Sequence, residues 1–306
     1  MIHFKDITLQ DRDLITSYTQ NSNRRNCDLS FSNLCSWRFL YDTQFAEING
    51  FIVFKFWTQK QLAYMMPVGK GDLKNTVLQM MDDANKEGDP FVMLGVSTEM
   101  REELESIMPH TFAYTIDRDY ADYIYLRENL AELKGRKYQQ KRNHINRFIN
   151  AYNEYEFVPI TTPEHIKECI HFEAKWCKQN NCDKHEGTGN ERESILYGLN
   201  HFKELGLMGG ILYADGKTVA FTYGMPINKD TFGTHVEKAD SMVEGAYAMI
   251  NREFARYIPE QYHYINREED LGIPGLRKAK LSYNPAIILD KYLVSLQKNS
   301  IDEIDW

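Results

Sequence analysis

The sequence predicts an α/β chain of two similar units, each a mixed, mainly antiparallel sheet flanked by helices. Three observations lead there. Long stretches repeat apolar residues at helical spacing, as in Leu73, Val77, Leu78, Met81 and Ala84. Short β-rich runs form meanders joined by Asn-Gly and Asp-Gly turns, the strongest short-range hairpin signal. The order helices, strand meander, helix, strand, helix, strand occurs twice along the 306 residues, without a literal repeat. A junction near 125–135 divides the chain into domains at 1–130 and 131–306, and this length suits two domains of ordinary size.

In the first half, helices are expected at Leu9–Gln20 and Ser32–Tyr41, the second capped by Ser32. Strands follow at Phe45–Ile48, Phe51–Trp57 and Gln61–Met66, with Asn49-Gly50 turning between the first two. An amphipathic helix at Gly71–Lys86 leads to a strand at Pro90–Gly95, a helix at Thr98–Ile107, and strands at Phe112–Ile116 and Asp122–Leu126. The second half opens with a basic helix at Gly135–Tyr152 and a strand at Glu156–Ile160. Thr162-Pro163-Glu164 starts a helix reaching Lys178, with Thr at the cap and Pro in the first turn. A polar loop at Asn180–Gly189 precedes a helix at Glu191–Leu205. Strands are expected at Gly209–Ala214, Thr218–Pro226 and Thr231–Val236, the first two joined at Asp215-Gly216. Then come a helix at Val243–Tyr257, a strand at Tyr262–Asn266, a loop and short helix at Glu268–Ala279, and a strand at Ala286–Lys291.

The hydrophobic share of 42% builds substantial cores, and no apolar run approaches a membrane span. The amino-terminal Met-Ile-His-Phe-Lys-Asp lacks a signal-peptide layout, so a soluble, cytoplasmic protein without an integral membrane segment is expected. Five cysteines, an odd number in a long chain, do not form a disulfide framework. His171, Cys177, Cys182 and His185 lie close in sequence, but their irregular spacing without a Cys-x-x-Cys pair does not describe a metal site.

The strongest local signal is Lys134–Arg147, six Lys/Arg and no acid in a chain of net charge −8. A positive patch on an acidic background suits an anion such as phosphate or a nucleic-acid backbone; a solvated helix face is the alternative. Ile145, Phe148, Ile149 and Tyr152 would bury one side of this helix. Lys137, Lys141 and His144 share a face by spacing, with Tyr138 as the aromatic able to stack on a base and Arg142 on another side. Farther along, the hairpin and strand of Gly209–Val236 run into Gly245 and a helix, where free N–H groups bind phosphate or carboxylate; Gly245 equally suits close packing of that helix.

The hairpin Gly210–Gly224, then a strand and a glycine turn into a helix, resembles the core of GNAT-type N-acyltransferases. In that family the turn reads Gln/Arg-x-x-Gly-x-Gly/Ala and holds the pyrophosphate of acyl-coenzyme A. Met242-Val-Glu-Gly-Ala-Tyr247 keeps one of the three signature residues and sets Glu244 where the pyrophosphate would lie. Two further segments, Leu133–Phe148 and Tyr264–Pro285, are similar to the FemABX-like tandem-GNAT branch, specifically the C-terminal domain of phosphatidylglycerol lysyltransferase, over roughly residues 20–295. That resemblance implies two GNAT-like domains and aminoacyl transfer from aminoacyl-tRNA to a lipid, peptide or small amine or hydroxyl acceptor. An ester donor is already activated, so no cofactor is required; acetyl-coenzyme A is the alternative donor. A non-catalytic ligand-binding protein on the same fold is the remaining reading.

Transfer requires positioning of both substrates, oxyanion stabilisation and proton transfer. His235 and Glu237, placed on one face by strand alternation, and Asp270 are the candidate catalytic groups. Arg277 and Lys280 are candidates for gripping a phosphate or the terminal adenosine of tRNA, with an Asp270–Arg277 ion pair as the purely structural alternative.

Overall fold

The computed structural model describes residues 2–58, 61–180 and 186–297. In chain order the main elements of the first half are β1 (Lys5–Asp6), α1 (Arg12–Thr19), α2 (Phe31–Ser36), α3 (Arg38–Tyr41), β2 (Gln44–Ile48), β3 (Phe51–Thr58), β4 (Gln61–Tyr64), β5 (Val68–Gly69), α4 (Leu73–Glu87), β6 (Val92–Ser97), α5 (Thr98–Ile107) and β7 (Phe112–Ile116). Next come β8 (Asp122–Leu126), α6 (Arg127–Glu132), α7 (Gln139–Ala151), β9 (Tyr155–Pro159), α8 (Pro163–Asn180), α9 (Glu186–Asn200), β10 (Met208–Ala214), β11 (Lys217–Pro226) and β12 (Thr231–Ala239). The chain continues through α10 (Ala246–Tyr257), β13 (Tyr264–Asn266), α11 (Pro274–Leu281), β14 (Ile287–Leu289) and β15 (Lys291–Leu296).

The strands form two sheets. One has the order β1-β2-β3-β4-β6-β15-β7, with β5 also on β3; the other has the order β14-β8-β13-β12-β11-β10-β9. Both follow the same plan. An antiparallel meander (β2-β3-β4 or β10-β11-β12) leads into a helix, α4 or α10, and returns as a parallel strand, β6 on β4 and β13 on β12. The expected mixed, mainly antiparallel α/β architecture is thus present in both sheets. Asn49 and Gly50 at φ 51° and 83°, and Asp215 and Gly216 at 45° and 74°, give both hairpin turns the positive φ pair that their sequences call for.

Two strands cross between the halves of the sequence. β8, which follows β7, lies between β13 and β14 in the second sheet, and β15, which follows β14, lies between β6 and β7 in the first. One compact unit therefore comprises 1–122, 269–274 and 288–306, and the other 123–268 and 275–287. The sequence reading draws one boundary at 130/131; the pairing of β15 with β6 and β7 makes the first unit discontinuous instead.

Local corrections have local causes. The helix expected from Ser32 to Tyr41 breaks at Trp37, and its cap is Ser30, whose side chain accepts from the Asn33 N–H. The basic helix starts later, at Gln139, after a 3-10 turn at Arg136–Tyr138. α6, absent from the sequence reading, fills six residues of the presumed junction.

In the first unit, Lys291 is buried at 5% exposure among acids from separate stretches of chain. Its Nζ lies 2.5 Å from Glu269, 2.7 Å from Asp122 and 2.8 Å from Asp28, with the Cys27 thiol at 3.6 Å. Cys27, Asp122 and Glu269 bring their ligand atoms within 4.8 Å of one another, and the Lys291 ammonium is the cation they surround. The second unit has its own core, in which Ile145 and Phe148 of α7 and Met249, Ile250 and Phe254 of α10 meet Leu212, Ala220, Phe232 and Ile265 of the sheet. Burying each large side chain contributes about 1.5–3 kcal/mol, so α10 is fixed firmly against the sheet and α7 against α10.

Candidate active site

The site grows from an irregularity in the central strand of the second sheet. Tyr223 of β11 faces Val236 of β12, but Gly224 faces Thr234, so three β12 residues stand against two of β11. This is a β-bulge, which bends a strand and re-aims its side chains. On its other edge β12 pairs with β13 for three residues only, ending at Gly233 and Asn266. Beyond that point His235 and Glu237 continue along β12, while Arg267 and Glu268 leave β13.

Two side-chain bridges join the parted strands. His235 Nδ1 lies 2.8 Å from Glu268 Oε1, and Arg267 Nη2 donates to Glu237 Oε1 at 2.8 Å. With the Glu268 carboxylate accepting, the imidazole proton sits on Nδ1 and Nε2 carries the lone pair. That Nε2 is buried and has no hydrogen-bond partner among the described residues; nor do Arg267 Nη1 and Asn251 Oδ1. Buried polar atoms are paired in more than about 90% of cases, so open ones around a strand split mark where a ligand or water completes the bonding. The sequence expectation that His235 and Glu237 act from one face relied on unbroken alternation. The bulge interrupts it, and the two side chains go to different partners, Glu268 for one, Arg267 and Asn251 for the other.

Arg267 is held from several sides. Its guanidinium carbon lies 4.8 Å from the centre of the Tyr283 ring and 5.6 Å from that of Tyr125, and Asn251 Nδ2 donates to the second oxygen of Glu237 at 3.0 Å. Lys280 Nζ donates to the Arg267 carbonyl at 2.5 Å, and the Tyr125 hydroxyl donates to the Lys280 carbonyl at 2.8 Å. Lys280 is therefore a positioning residue, buried under the site, where the sequence suggested a phosphate ligand. Lys141 comes in from α7, its Nζ 3.9 Å from the centre of the Tyr283 ring. Burial, then the nearby Arg267 charge, lowers its pKa to about 8 against the opposing pull of Glu237.

The remaining candidates resolve as follows. Tyr138 is 1% exposed within the core, so its ring has no face for a base. Arg142 turns back on its own helix start, donating to the carbonyls of Leu133 and Gly135 and to Gln139. Lys137 is exposed, 5.0 Å over the buried Tyr138 ring, and His144 is half-buried. The Lys137–Lys141–His144 line is thus not one open stripe, because Lys141 is drawn inward.

Gly245 caps α10 at φ 83°; a Cβ there would stand 2.3 Å from the His144 carbonyl oxygen and 3.0 Å from the Phe148 Cβ. Its bareness admits α7, which answers the choice between ligand approach and helix packing in favour of packing. Glu244 is matched by Arg147 at 2.6 Å.

Asp270, wholly buried in the first unit, accepts from the Gly272 N–H at 2.9 Å and faces Arg118 at 3.5 Å; it fastens its loop. Arg277 is half-buried on α11 in the second unit. His171 bonds the Lys167 carbonyl and Cys177 is buried, while Cys182 and His185 lie outside the described residues.

Sequence reasoning missed Arg267, Glu268, Asn251, Tyr125 and Tyr283 as site residues. Arg267, Glu268 and Tyr283 did lie inside the family-like segment Tyr264–Pro285, the one signal that pointed to them.

Comparison with known proteins bears on the family and the fold. The family model "Phosphatidylglycerol lysyltransferase, C-terminal" matches residues 19–295. A conserved protein of unknown function from Bacteroides thetaiotaomicron is 66% identical, with a TM-score of 0.95 over 97% of this chain and 100% of that one. The C-terminal domain of a putative lysylphosphatidylglycerol synthetase from Agrobacterium fabrum has the same fold at 15% identity, with a TM-score of 0.68 over 96% and 92% of the two chains. L-PGS from Bacillus licheniformis matches at 14% identity, with a TM-score of 0.66 over 98% and 95%. Among curated proteins, an uncharacterised protein of Mycoplasmoides gallisepticum is 24% identical over 198 residues, 63% of this chain and 62% of that protein's length. No helix among the described residues is long and apolar enough to cross a membrane.

Proposed function

From the premise that this chain belongs to the phosphatidylglycerol lysyltransferase C-terminal family, we propose that it is a transferase that moves an aminoacyl group from aminoacyl-tRNA to a lipid, peptide or small amine or hydroxyl acceptor. The observation that carries this reading is the bridged strand split, where His235, held by Glu268, keeps a buried Nε2 without a partner among the described residues. An acceptor amine or hydroxyl attacks the ester carbonyl while His235 Nε2 takes its proton and Glu268 holds the ring. The bond from carbonyl carbon to ribose oxygen then breaks, and the ribose oxygen recovers the proton from His235. The donor is already an activated ester, so the reaction needs no covalent enzyme intermediate.

Acyl-coenzyme A is less well served. Glu244 stands at the turn where its pyrophosphate would lie, and Gly245 is closed over by α7. The test is a transfer assay with tRNA charged with labelled lysine, phosphatidylglycerol vesicles and free amine acceptors, alongside acetyl-coenzyme A. We expect label to move from the tRNA, and His235→Gln to lower kcat by about 100-fold or more with little change in the melting curve. Transfer from acetyl-coenzyme A alone, or full activity in His235→Gln, sinks this reading.

A further inference from the structure

Building on the aminoacyl-tRNA reading, we propose that Lys141 and Arg267 together form the subsite for the phosphodiester nearest the aminoacylated end of the donor. Lys141 Nζ and the Arg267 guanidinium approach the same ring, Tyr283, at 3.9 Å and 4.8 Å from its centre. Lys141 and Arg267, with the Lys280 ammonium beneath them, outnumber the Glu237 carboxylate, so the niche carries net positive charge. Arg267 spends Nη2 on Glu237 and keeps the buried Nη1 open, so one arm of its fork is set and the other is available. Asn251, also buried, spends its Nδ2 on the same Glu237 and leaves Oδ1 open, an acceptor for a ribose hydroxyl beside the phosphate.

The lysine and arginine are not free to relax. Lys280 pins the Arg267 carbonyl, and the core residues Ile145 and Phe148 hold α7. An anionic phosphodiester suits a niche of net positive charge. Outside the niche Lys137 and Arg136 are exposed in the turn that precedes α7, and such added cations suit a chain of phosphates better than a single lipid headgroup.

The test is calorimetric titration of the whole chain with the dinucleotide cytidylyl-adenosine, its uncharged methylphosphonate analogue and glycerophosphoglycerol, at two salt concentrations. We expect saturable, salt-weakened binding of the dinucleotide, reduced at least 10-fold in Lys141→Met and in Arg267→Lys and similarly in the analogue. Since Arg267→Lys disturbs a buried pair, the half-buried Lys141→Met decides the matter if that variant fails to fold. Wild-type affinity in Lys141→Met, or no saturable binding of the dinucleotide, overturns the subsite. Equal or tighter binding of glycerophosphoglycerol overturns its assignment to the tRNA. No transfer step enters these titrations, so dinucleotide binding without turnover in the transfer assay retires the reaction and leaves the subsite, and the converse retires the subsite alone.

Discussion

At Lys141, burial and the Arg267 charge bring the ammonium pKa down to about 8, so its proton is lost within an accessible pH range. Only the charged form holds an anion. Binding of a phosphodiester, whose own charge is constant over this range, should therefore be full below pH 7 and fall as pH rises through about 8. Bound anion favours the ammonium, so the midpoint in the complex lies higher than in the free protein. Lys141→Arg, with a guanidinium that stays charged, should flatten the profile up to pH 9. Calorimetry with the dinucleotide between pH 6.5 and 9.5 reads this, and an unchanged slope in Lys141→Arg would sink the assignment of the titration to this residue. The same residue marks what the sequence made legible. Its charge and its helix were readable, and so was the basic run; its inward turn onto Tyr283 was not, because the partner ring lies more than a hundred residues away and no spacing rule links them. His235 and Glu237 were legible as strand-end polar groups, but the bulge that separates their partners leaves no mark in the sequence of β12 alone.

At the level of elements, the helices and meanders were read closely because each carries its own periodicity or turn chemistry. Asn49-Gly50 and Asp215-Gly216 are local signals, and both turns are where they were expected. α6 escaped because its six residues span too few turns to display a period. α10 and α7 supply the prediction at this scale. Gly245 combines a positive φ of 83° with a Cβ position 2.3 Å from a backbone oxygen of α7. Gly245→Ala should cost about 1 kcal/mol for the left-handed backbone and about 1–3 kcal/mol more for overpacking. α7 must then shift, moving Lys141 relative to Tyr283. Urea unfolding should register the lost stability, and dinucleotide affinity should fall even where the variant remains folded. A variant as stable as the wild type would mean that α7 is not seated on this turn as described.

The connectivity of the whole molecule depends on pairings that no local pattern encodes. β8 was expected as a strand but β15 (Lys291–Leu296) was not, since the last expected strand ends at Lys291, and nothing in either segment names its neighbours, which is why a single boundary at 130/131 looked natural. Three separate stretches of chain make the first unit, and the Lys291 cluster draws on all of them: Asp28 and Asp122 from the first, Glu269 from the second, and Lys291 from the third. Burial raises the Asp122 pKa to about 7 against the opposing attraction of Lys291. The sign follows from the folded state binding this proton more tightly than the unfolded chain. Stability from Asp122 is full below its unfolded value of 3.8 and declines as pH rises toward 7. Lys291→Met removes the ammonium that pairs with Asp28, Asp122 and Glu269 and leaves their carboxylates facing each other, which raises their proton affinity further and extends the decline to higher pH. Breaking a buried pair by removing one partner costs about 3–5 kcal/mol, and we expect that loss at pH 8. At pH 5, where the acids can take up protons, the loss should shrink to a fraction of it. Urea unfolding of both proteins at the two pH values measures the difference directly. An equal loss at pH 5 and pH 8 would mean that Lys291 acts through packing of its stem, and that the three stretches are held by strand pairing without help from charge.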